Sequence, residues 1–164
     1  MRLTTLCYLK QNGKYLMLYR CKKEKDVNKG KWIGIGGGFL EGESPEDCLL
    51  REVWEETDLT LTSWKFRGIV TFSSDGWETE YMHLFTADGF SGELAESCDE
   101  GELAWIPEDK LADLPMWEGD RIFFDLIANG EPFFSLKLSY KSDKLVQAAL
   151  NGIPLELNQR KGAK

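Results

Sequence analysis

The chain has 164 residues, of which 42% are hydrophobic and 12% aromatic; this suffices for the core of one domain and excludes a disordered protein. Its net charge of −8 excludes binding to long nucleic acid through the phosphates, because that mode needs clustered lysine and arginine. No apolar run reaches the roughly 18 residues of a membrane span, and the N-terminus lacks a signal-peptide pattern, so we expect a cytoplasmic protein without a membrane partner.

The N-terminal part of the chain predicts a β-hairpin followed by a loop. Apolar-rich runs over 2–10 and 14–20 flank an Asn-Gly pair, which favours the tight turn of a hairpin. The lysine-rich stretch 21–31 has the composition of a polar loop. A short strand is predicted over 32–35, and it ends in three glycines, where the backbone must turn tightly or approach another group closely.

A helix is predicted soon after the glycines. Ser44 has the side chain of an N-cap, Pro45 suits the first helical position, and Asp47 stands where a capping box places its acid. The helix therefore spans about 45–57. Its core face is expected to consist of Leu49, Leu50, Val53 and Trp54.

The second half of the chain combines strands with a further helix. Strands are predicted over 64–74, 79–87, 101–107, 132–140 and 144–150. A short helical turn follows Pro107, and the apolar spacing predicts a full helix over 116–128. The inward side chains of that helix are expected to be Ile122, Phe123, Leu126 and Ile127. Strands interleaved with two helices predict an α/β sandwich with a mixed sheet, as one domain over 1–155 with a disordered tail over 156–164.

Carboxylates are concentrated on the first predicted helix. Glu52, Glu55 and Glu56 can project from neighbouring positions on one surface, where three like charges destabilise an isolated helix. A glutamate-rich helix is by itself more often a solvated face. A hard cation such as Mg²⁺, which prefers oxygen ligands, would nevertheless offset the repulsion. Arg51 stands four residues before Glu55 and can hold one carboxylate, and the glycine run offers backbone groups to the same site.

The spacing of these residues resembles the Nudix box, G-x5-E-x7-R-E-U-x-E-E-x-G-U, in which U is aliphatic. Gly37, Glu43 and the segment 51–59 match it. Independent placement at ordinary abundances would produce six fixed residues in this register with a probability on the order of 10⁻⁷. Asp58 departs from the box, which has glycine there, just past the helix end where a left-handed residue is common. We expect local strain at Asp58 and no loss of activity.

The resemblance implies a Nudix-type α/β/α sandwich with a mixed β-sheet, and hydrolysis of a nucleoside diphosphate linked to another group. It implies Mg²⁺ as the cofactor, with Mn²⁺ able to substitute. By position, the implied metal ligands are the carbonyl of Gly36 and the carboxylates of Glu52, Glu55, Glu56 and Glu100.

The resemblance also implies a general base that takes a proton from water. His83, the one histidine, lies in a strand pattern where a structural role is expected, so the base should be a carboxylate. The candidates are Glu52, Glu56 and Glu100. Glu100 occupies the position of an additional downstream acid, and a shift in its loop would put Glu102 there instead.

Further segments resemble MutT-type diphosphatases of oxidised purine nucleoside triphosphates: WIGIGGGF, FRGIVTF, CDEGELAWIPEDKL and LPMWEGD. Trp117 and Asp120 are similar to the aromatic platform and the purine-reading carboxylate of those enzymes. Phe72 would form another wall, and Lys23 would meet the triphosphate. The alternative is that Trp117 starts an amphipathic helix and packs inward.

Two positions depart from the MutT-type pattern. Ile33 stands where human-like relatives place an asparagine, and Gly119 where they place a second aspartate. Fewer polar groups should read the base less stringently.

The leading hypothesis is a nucleoside triphosphate pyrophosphohydrolase that sanitises oxidised purine nucleotides, a DNA-repair role in which 8-oxo-dGTP becomes 8-oxo-dGMP and pyrophosphate. Its partner would be a small nucleotide, and both a monomer and a homodimer stay open. One alternative is a Nudix hydrolase of a nucleotide sugar or a dinucleoside polyphosphate. Another is a non-catalytic sensing module, but such modules usually lose box glutamates and this chain retains them.

Overall fold

The computed structural model describes residues 1–157. The strands of this part are β1 (Arg2–Gln11), β2 (Lys14–Arg20), β3 (Trp32–Ile33), β4 (Thr60–Ser74), β5 (Glu80–Ser91), β6 (Ser97–Cys98), β7 (Gly101–Pro107), β8 (Phe134–Lys141), β9 (Lys144–Leu150) and β10 (Ile153–Pro154). The helices are α1 (Pro45–Thr57), α2 (Asp120–Ala128) and a 3-10 helix (Glu108–Asp113).

The strands form one mixed sheet. Their order is β10-β9-β8-β4-β5-β1-β2-β7-β6, and β3 pairs with β2 beside this path. β1 runs parallel to β5 and β4 runs parallel to β8, whereas the other pairings are antiparallel. The predicted mixed sheet is confirmed.

β1 supplies core residues to both faces of the sheet. Leu6 and Tyr8 belong to one hydrophobic cluster, and Cys7 between them belongs to another. Because successive strand side chains point to opposite faces, the two clusters lie on opposite sides. α2 adds Phe123 to the first cluster and α1 adds Leu49 to the second. The predicted α/β/α sandwich is confirmed.

The predicted first hairpin is confirmed. Lys10 of β1 pairs with Tyr15 of β2 in antiparallel register. Asn12 and Gly13 at the turn have φ values of 52° and 74°. Two consecutive positive φ angles are what a type I′ turn requires, and they match the right-handed twist of the flanking strands.

α1 has the predicted bounds and ends at a left-handed residue. The Ser44 hydroxyl accepts a bond from the Asp47 amide at 3.0 Å, and the Asp47 carboxylate accepts one from the Ser44 amide at 3.1 Å. Asp58 follows with φ 64°, and its N–H donates to the Trp54 carbonyl at 2.9 Å. This left-handed conformation costs a non-glycine residue roughly 1 kcal/mol.

The predicted core face of α1 is wrong at Trp54, which is 56% exposed. A helix turns about 100° per residue, so the buried stripe through Leu49 and Val53 continues to Glu56 and Thr57. Trp54 lies beside that stripe. The helix consequently turns a carboxylate toward the sheet where an indole was expected.

α2 begins at Asp120, four residues after its predicted start at 116. Met116 and Trp117 are buried, but they belong to an extended segment that leads into a turn before the helix. The backbone amide of Asp120 donates a hydrogen bond to the Trp117 carbonyl at 3.1 Å, which closes this turn. Of the predicted core residues, Phe123 and Ile127 are buried, and Ile122 and Leu126 are partly buried against the same cluster. Apolar spacing alone does not separate a helix from a buried extended segment.

At the C-terminal end, packing extends past the predicted domain boundary at residue 155. Leu155 and Leu157 are partly buried against the cluster that α2 covers. The remainder of the predicted tail, 158–164, lies outside the described residues. None of the helices between residues 1 and 157 has the length and apolar character that a bilayer crossing would need.

Candidate active site

The glycine run passes close to both β1 and α1. The Thr5 amide donates to the Gly37 carbonyl at 2.9 Å. A Cβ at Gly36 would overlap the Thr5 carbonyl, and one at Gly37 would lie 2.5 Å from the Glu52 carboxylate. Side chains are therefore excluded here, because the run is placed between the strand and a helix carboxylate.

Arg51 organises the acidic side of the site. Its Nε and Nη2 bind the two carboxylate oxygens of Glu43 at 2.6 and 2.9 Å, and Nη2 also donates to the Gly38 carbonyl. Nη1 donates to Glu52 at 2.9 Å and to Glu55 at 3.2 Å. The hydrogen bonds from Arg51 hold the pKa of Glu43 well below its usual range. The guanidinium thus holds three carboxylates where one was predicted.

Glu56 is buried, with 6% of its surface exposed. One carboxylate oxygen accepts a bond from the Gly36 amide at 3.3 Å. The other oxygen is buried and has no hydrogen-bond partner within the described chain. Burial first, then repulsion from Glu100 and Glu52, raises the pKa of Glu56 to about 8. A bare carboxylate oxygen among other carboxylates is what a bound cation would satisfy.

The predicted metal ligands are close in the chain but are not gathered around one point. Within residues 1–157, no three His, Cys, Asp or Glu side chains already form a metal-binding group. Glu52 and Glu55 are turned onto Arg51. The unpartnered oxygen of Glu56 and the raised pKa of Glu52, which results mainly from burial, fit a divalent cation that would draw these carboxylates together.

Glu100 joins this acidic side from a different element. It stands in the turn between β6 and β7, with Oε1 at 2.5 Å from Arg20 Nη1 and Oε2 at 4.0 Å from Lys23 Nζ. Glu102 is exposed on β7, opposite Tyr19. The structure therefore favours Glu100 over Glu102 as the additional acid.

A cavity of about 300 Å³ connects the acidic side to an aromatic side. Acidic groups line it at Asp26, Glu52, Glu80, Glu100 and Asp120; cations line it at Arg2, Arg20 and Lys23. The aromatic side is lined by Phe72 and Trp117. A concave site with apolar walls and a few charged groups is typical of small-molecule binding.

Trp117 is 4% exposed and packs on several sides. Its ring meets Phe72 and Tyr140 edge-on at centroid distances of 4.9 and 4.7 Å. Lys31 Nζ lies 4.3 Å from the ring centroid, and the indole N–H donates to Asn28 at 2.8 Å. Most of the Trp117 ring thus packs inward, as the alternative interpretation expected, and the rest of the ring lines the cavity.

Asp120 is the first residue of α2 and is 5% exposed. Burial raises its pKa to about 8, although Arg121 and Lys31 act in the opposite direction. At neutral pH the carboxyl is therefore mostly protonated, so it can donate one hydrogen bond and accept others.

Gly119 leaves no space for the second aspartate of the MutT-type pattern. A Cβ there would lie 2.6 Å from both the Leu138 side chain and the Tyr140 hydroxyl. That hydroxyl accepts a bond from the Gly119 amide at 2.7 Å. Ile33, the other departure, lines the cavity with an apolar side chain.

The NUDIX domain family matches residues 1–127. This chain belongs to the Nudix family. It is 34% identical over 154 residues to the oxidized purine nucleoside triphosphate hydrolase of Danio rerio, covering 93% of this chain and 96% of that protein. It is 31% identical to the uncharacterized Nudix hydrolase YvcI of Bacillus subtilis, covering 85% and 92%. The crystal structure of the MutT protein of Bacillus halodurans superposes with a TM-score of 0.82 at 26% identity, covering 94% and 100%.

The chain is accordingly a Nudix hydrolase, and such enzymes generally use a divalent metal and act on small nucleotides. His83 has the expected structural surroundings: its Nδ1 lies 2.9 Å from the Thr4 carbonyl, and its ring packs on Phe39 and Phe66.

Sequence reasoning missed several cavity residues of this Nudix hydrolase, among them Arg20, Asp26 and Asn28. Asp26 and Asn28 lie in the stretch 21–31, whose many lysines indicated a solvated loop. The one available signal was Arg20, a charged residue at the end of an otherwise apolar strand.

Proposed function

We propose that this Nudix hydrolase cleaves nucleoside triphosphates to the monophosphate and pyrophosphate, with oxidised purine nucleotides such as 8-oxo-dGTP as preferred substrates. One observation carries the proposal: the box glutamate Glu52 and the buried pair Trp117 and Asp120 line the same cavity. The name and 34% identity of the Danio rerio relative support this substrate class. We place this activity in the cytoplasm, in a monomer or a homodimer.

We propose Mg²⁺ as the metal, with Mn²⁺ as a substitute. Glu52 and Glu56 would hold it, with Glu55, Glu100 and the Gly36 carbonyl as further ligands. When bound, the ion supplies charge neutralisation for the phosphoryl oxygens and lowers the pKa of a water ligand.

Carboxylates of the chain would accept the proton of the attacking water. Glu56 has an unpartnered oxygen, and Glu100 is held at the cavity by Arg20. We propose Glu56 as the first candidate for the base and Glu100 as the second, while Glu52 stays a candidate. Arg51 keeps the helix carboxylates of Glu52 and Glu55 oriented through two ion pairs, and a third ion pair holds Glu43 before the helix.

The aromatic side would bind the base. We propose that Trp117 and Phe72 form apolar walls for a purine, a contact worth about 1–3 kcal/mol per stacked base. Asp120 would read the purine edge through hydrogen bonds, and Lys23 would meet the triphosphate. With Ile33 and Gly119 in place of polar side chains, Asp120 carries most of the discrimination in this proposal.

The test is kcat/KM for 8-oxo-dGTP, dGTP, dATP and a nucleotide sugar with Mg²⁺. We expect 8-oxo-dGTP to be the best substrate and EDTA to abolish turnover. Trp117→Ala should raise KM for every nucleotide, because stacking does not depend on base identity. Asp120→Asn should penalise mainly 8-oxo-dGTP, because the carboxyl can accept with both oxygens when it ionises against two donors of the purine edge, whereas the amide always presents a donor nitrogen in place of one oxygen.

Asp125→Asn is the matched control, because it is the same substitution at an exposed position of the same helix. It should leave all four values unchanged. If wild type prefers the nucleotide sugar, or treats 8-oxo-dGTP and dGTP alike, the proposed substrate is wrong. Full turnover in EDTA would overturn the metal assignment.

A further inference from the structure

A chain of hydrogen bonds connects the acidic and aromatic sides of the cavity. Arg20 Nη1 binds Glu100 at 2.5 Å, and Arg20 Nε donates to Asp26 Oδ2 at 2.8 Å. Asp26 Oδ1 accepts a hydrogen bond from the backbone amide of Asn28 at 3.0 Å. The Trp117 indole N–H donates to Asn28 Oδ1 at 2.8 Å. We term these residues, Glu100–Arg20–Asp26–Asn28–Trp117, the relay; all of them line the cavity.

Asp26 is the centre of the relay. Its side chain is 4% exposed, and each of its oxygens accepts one of the two bonds above. The bond from the Asn28 amide forms an Asx-turn, and the Lys29 amide adds a bond to the Asp26 carbonyl at 3.0 Å. The turn orients Asn28. One carboxylate therefore holds Arg20 and also orients the acceptor of Trp117.

The loop that carries the relay is tied to the rest of the fold at its base. Within the described chain, the Arg20 amide donates to the Lys31 carbonyl at 3.0 Å, and the Gly30 amide donates to the Arg20 carbonyl at 2.8 Å. The Trp32 amide then donates to the Pro115 carbonyl at 2.8 Å, just before Trp117. These bonds make the loop a fixed support for both sides of the cavity.

We propose that Asp26 and Asn28 are positioning residues for hydrolysis by this site. Asn28 holds the Trp117 ring at the place where a base would bind. Asp26 holds Arg20, which in turn holds Glu100 at the acidic side. The purine base and the phosphate chain belong to one substrate molecule. The relay therefore sets the distance between Trp117, which would receive the purine, and Glu100, which lies on the side that would receive the phosphates. The kinetic part of this inference rests on the proposed function.

The kinetic test separates the two branches of the relay. Asn28→Ala should raise KM about tenfold with kcat nearly unchanged, because one hydrogen bond to Trp117 is lost. Arg20→Gln should lower kcat. Asp26→Asn should change both, because its single acceptor oxygen can serve only one of the two donors. Asn28→Asp keeps an acceptor for Trp117 and should restore KM.

Glu24→Gln is the control for these variants. Glu24 lies in the same loop and pairs with Lys29, but its side chain is 98% exposed and outside the relay. It should leave kcat and KM at wild-type values. Wild-type kcat and KM in Asp26→Asn, or equal effects in Asp26→Asn and Glu24→Gln, would overturn the proposal.

A second measurement needs no substrate. The Trp117 indole resonance in ¹H–¹⁵N spectra can be assigned by its loss in Trp117→Phe. It should move upfield in Asn28→Ala, and it should also move in Asp26→Asn and Arg20→Gln, whereas Glu24→Gln should leave it in place. A resonance unmoved by Asp26→Asn would overturn the relay. If wild type hydrolyses no nucleoside triphosphate, the proposed function fails while this spectrum still decides the relay.

Discussion

Glu56 and Asp120 are two buried carboxyl groups with similarly raised pKa values and opposite surroundings. Burial is the main cause in both cases, and each pKa rises to about 8. Around Glu56 the carboxylates of Glu100 and Glu52 raise the pKa further, and they outweigh the opposite effect of Arg20. Around Asp120 the neighbouring charges are cations, which lower it. The same protonation behaviour therefore arises where the neighbouring carboxylates outweigh the cations and where the neighbouring charges are cations.

This difference assigns different chemistry to the two groups. Glu56 has a bare oxygen in a negative environment, so a divalent cation would stabilise its ionised form. Asp120 gains less from a cation and instead offers a neutral carboxyl to a hydrogen-bonding ligand. The comparison thus supports the proposed roles of Glu56 as a metal ligand and of Asp120 as the carboxyl that reads the base.

The largest expected effect comes from Glu56→Gln. We expect a loss of at least about 100-fold in kcat, the scale for removal of an acid–base group. Asp120→Asn should instead act mainly on discrimination between purines. Glu100→Gln should lower kcat by less than Glu56→Gln; the reverse order would make Glu100 the better base. Steady-state kinetics at saturating Mg²⁺ measures all three, and a wild-type rate in Glu56→Gln would remove Glu56 from the site.

An intermediate effect concerns stability with metal. Mg²⁺ at a hundredfold excess over its Kd should stabilise the folded protein by about 2.7 kcal/mol, which raises Tm by roughly 5–10 °C for a domain of this size. Glu56→Gln should lose most of this shift, and Asp120→Asn should keep it. Thermal denaturation with Mg²⁺ and with EDTA measures the difference. Equal shifts in wild type and Glu56→Gln would show that Glu56 is not a ligand.

The sequence predicted the acidic side of the site better than the aromatic side. The box glutamates of the segment 51–59 lie on one helix, whose capping residues Ser44 and Asp47 determine its start, so their spacing translates directly into placement. Trp54 was misplaced because its apolar character suggested burial, whereas the buried stripe continues through Glu56. A buried carboxylate is contrary to the hydrophobic pattern on which the core prediction rested.

The aromatic side depends on contacts between distant segments. Trp117 is held by Asn28 and by Lys31, which lie about ninety residues away in the chain, and no local pattern indicates that pairing. The start of α2 was predicted too early for a related reason. Met116 and Trp117 are buried by tertiary packing, and in the sequence their apolar side chains look like a continuation of the apolar face of the helix.

A further expected effect is the pH dependence of stability caused by Asp120. The folded state keeps this carboxyl protonated up to about pH 8, whereas the unfolded chain ionises it near pH 4. The unfolded state therefore binds fewer protons between these values, and the free energy of unfolding falls as pH rises from about 4 to about 8, by at most about 1.4 kcal/mol per unit.

Asp120→Asn should remove this part of the fall. Chemical denaturation at several pH values in EDTA compares wild type with Asp120→Asn and with the exposed control Asp125→Asn. A curve for Asp120→Asn that parallels wild type throughout this range would mean that Asp120 is ionised in the folded protein, and the comparison with Glu56 would then fail.

The close contact at Gly119 also limits how this sequence can change. An aspartate introduced there would collide with the Tyr140 hydroxyl and with Leu138, so both neighbours would have to shift or become smaller. Loss of the Tyr140 hydroxyl would leave the Gly119 amide without its acceptor, and a residue smaller than phenylalanine would also remove a ring that packs on Phe72 and Trp117. A second carboxylate at this position thus requires changes at its neighbours that first remove existing contacts.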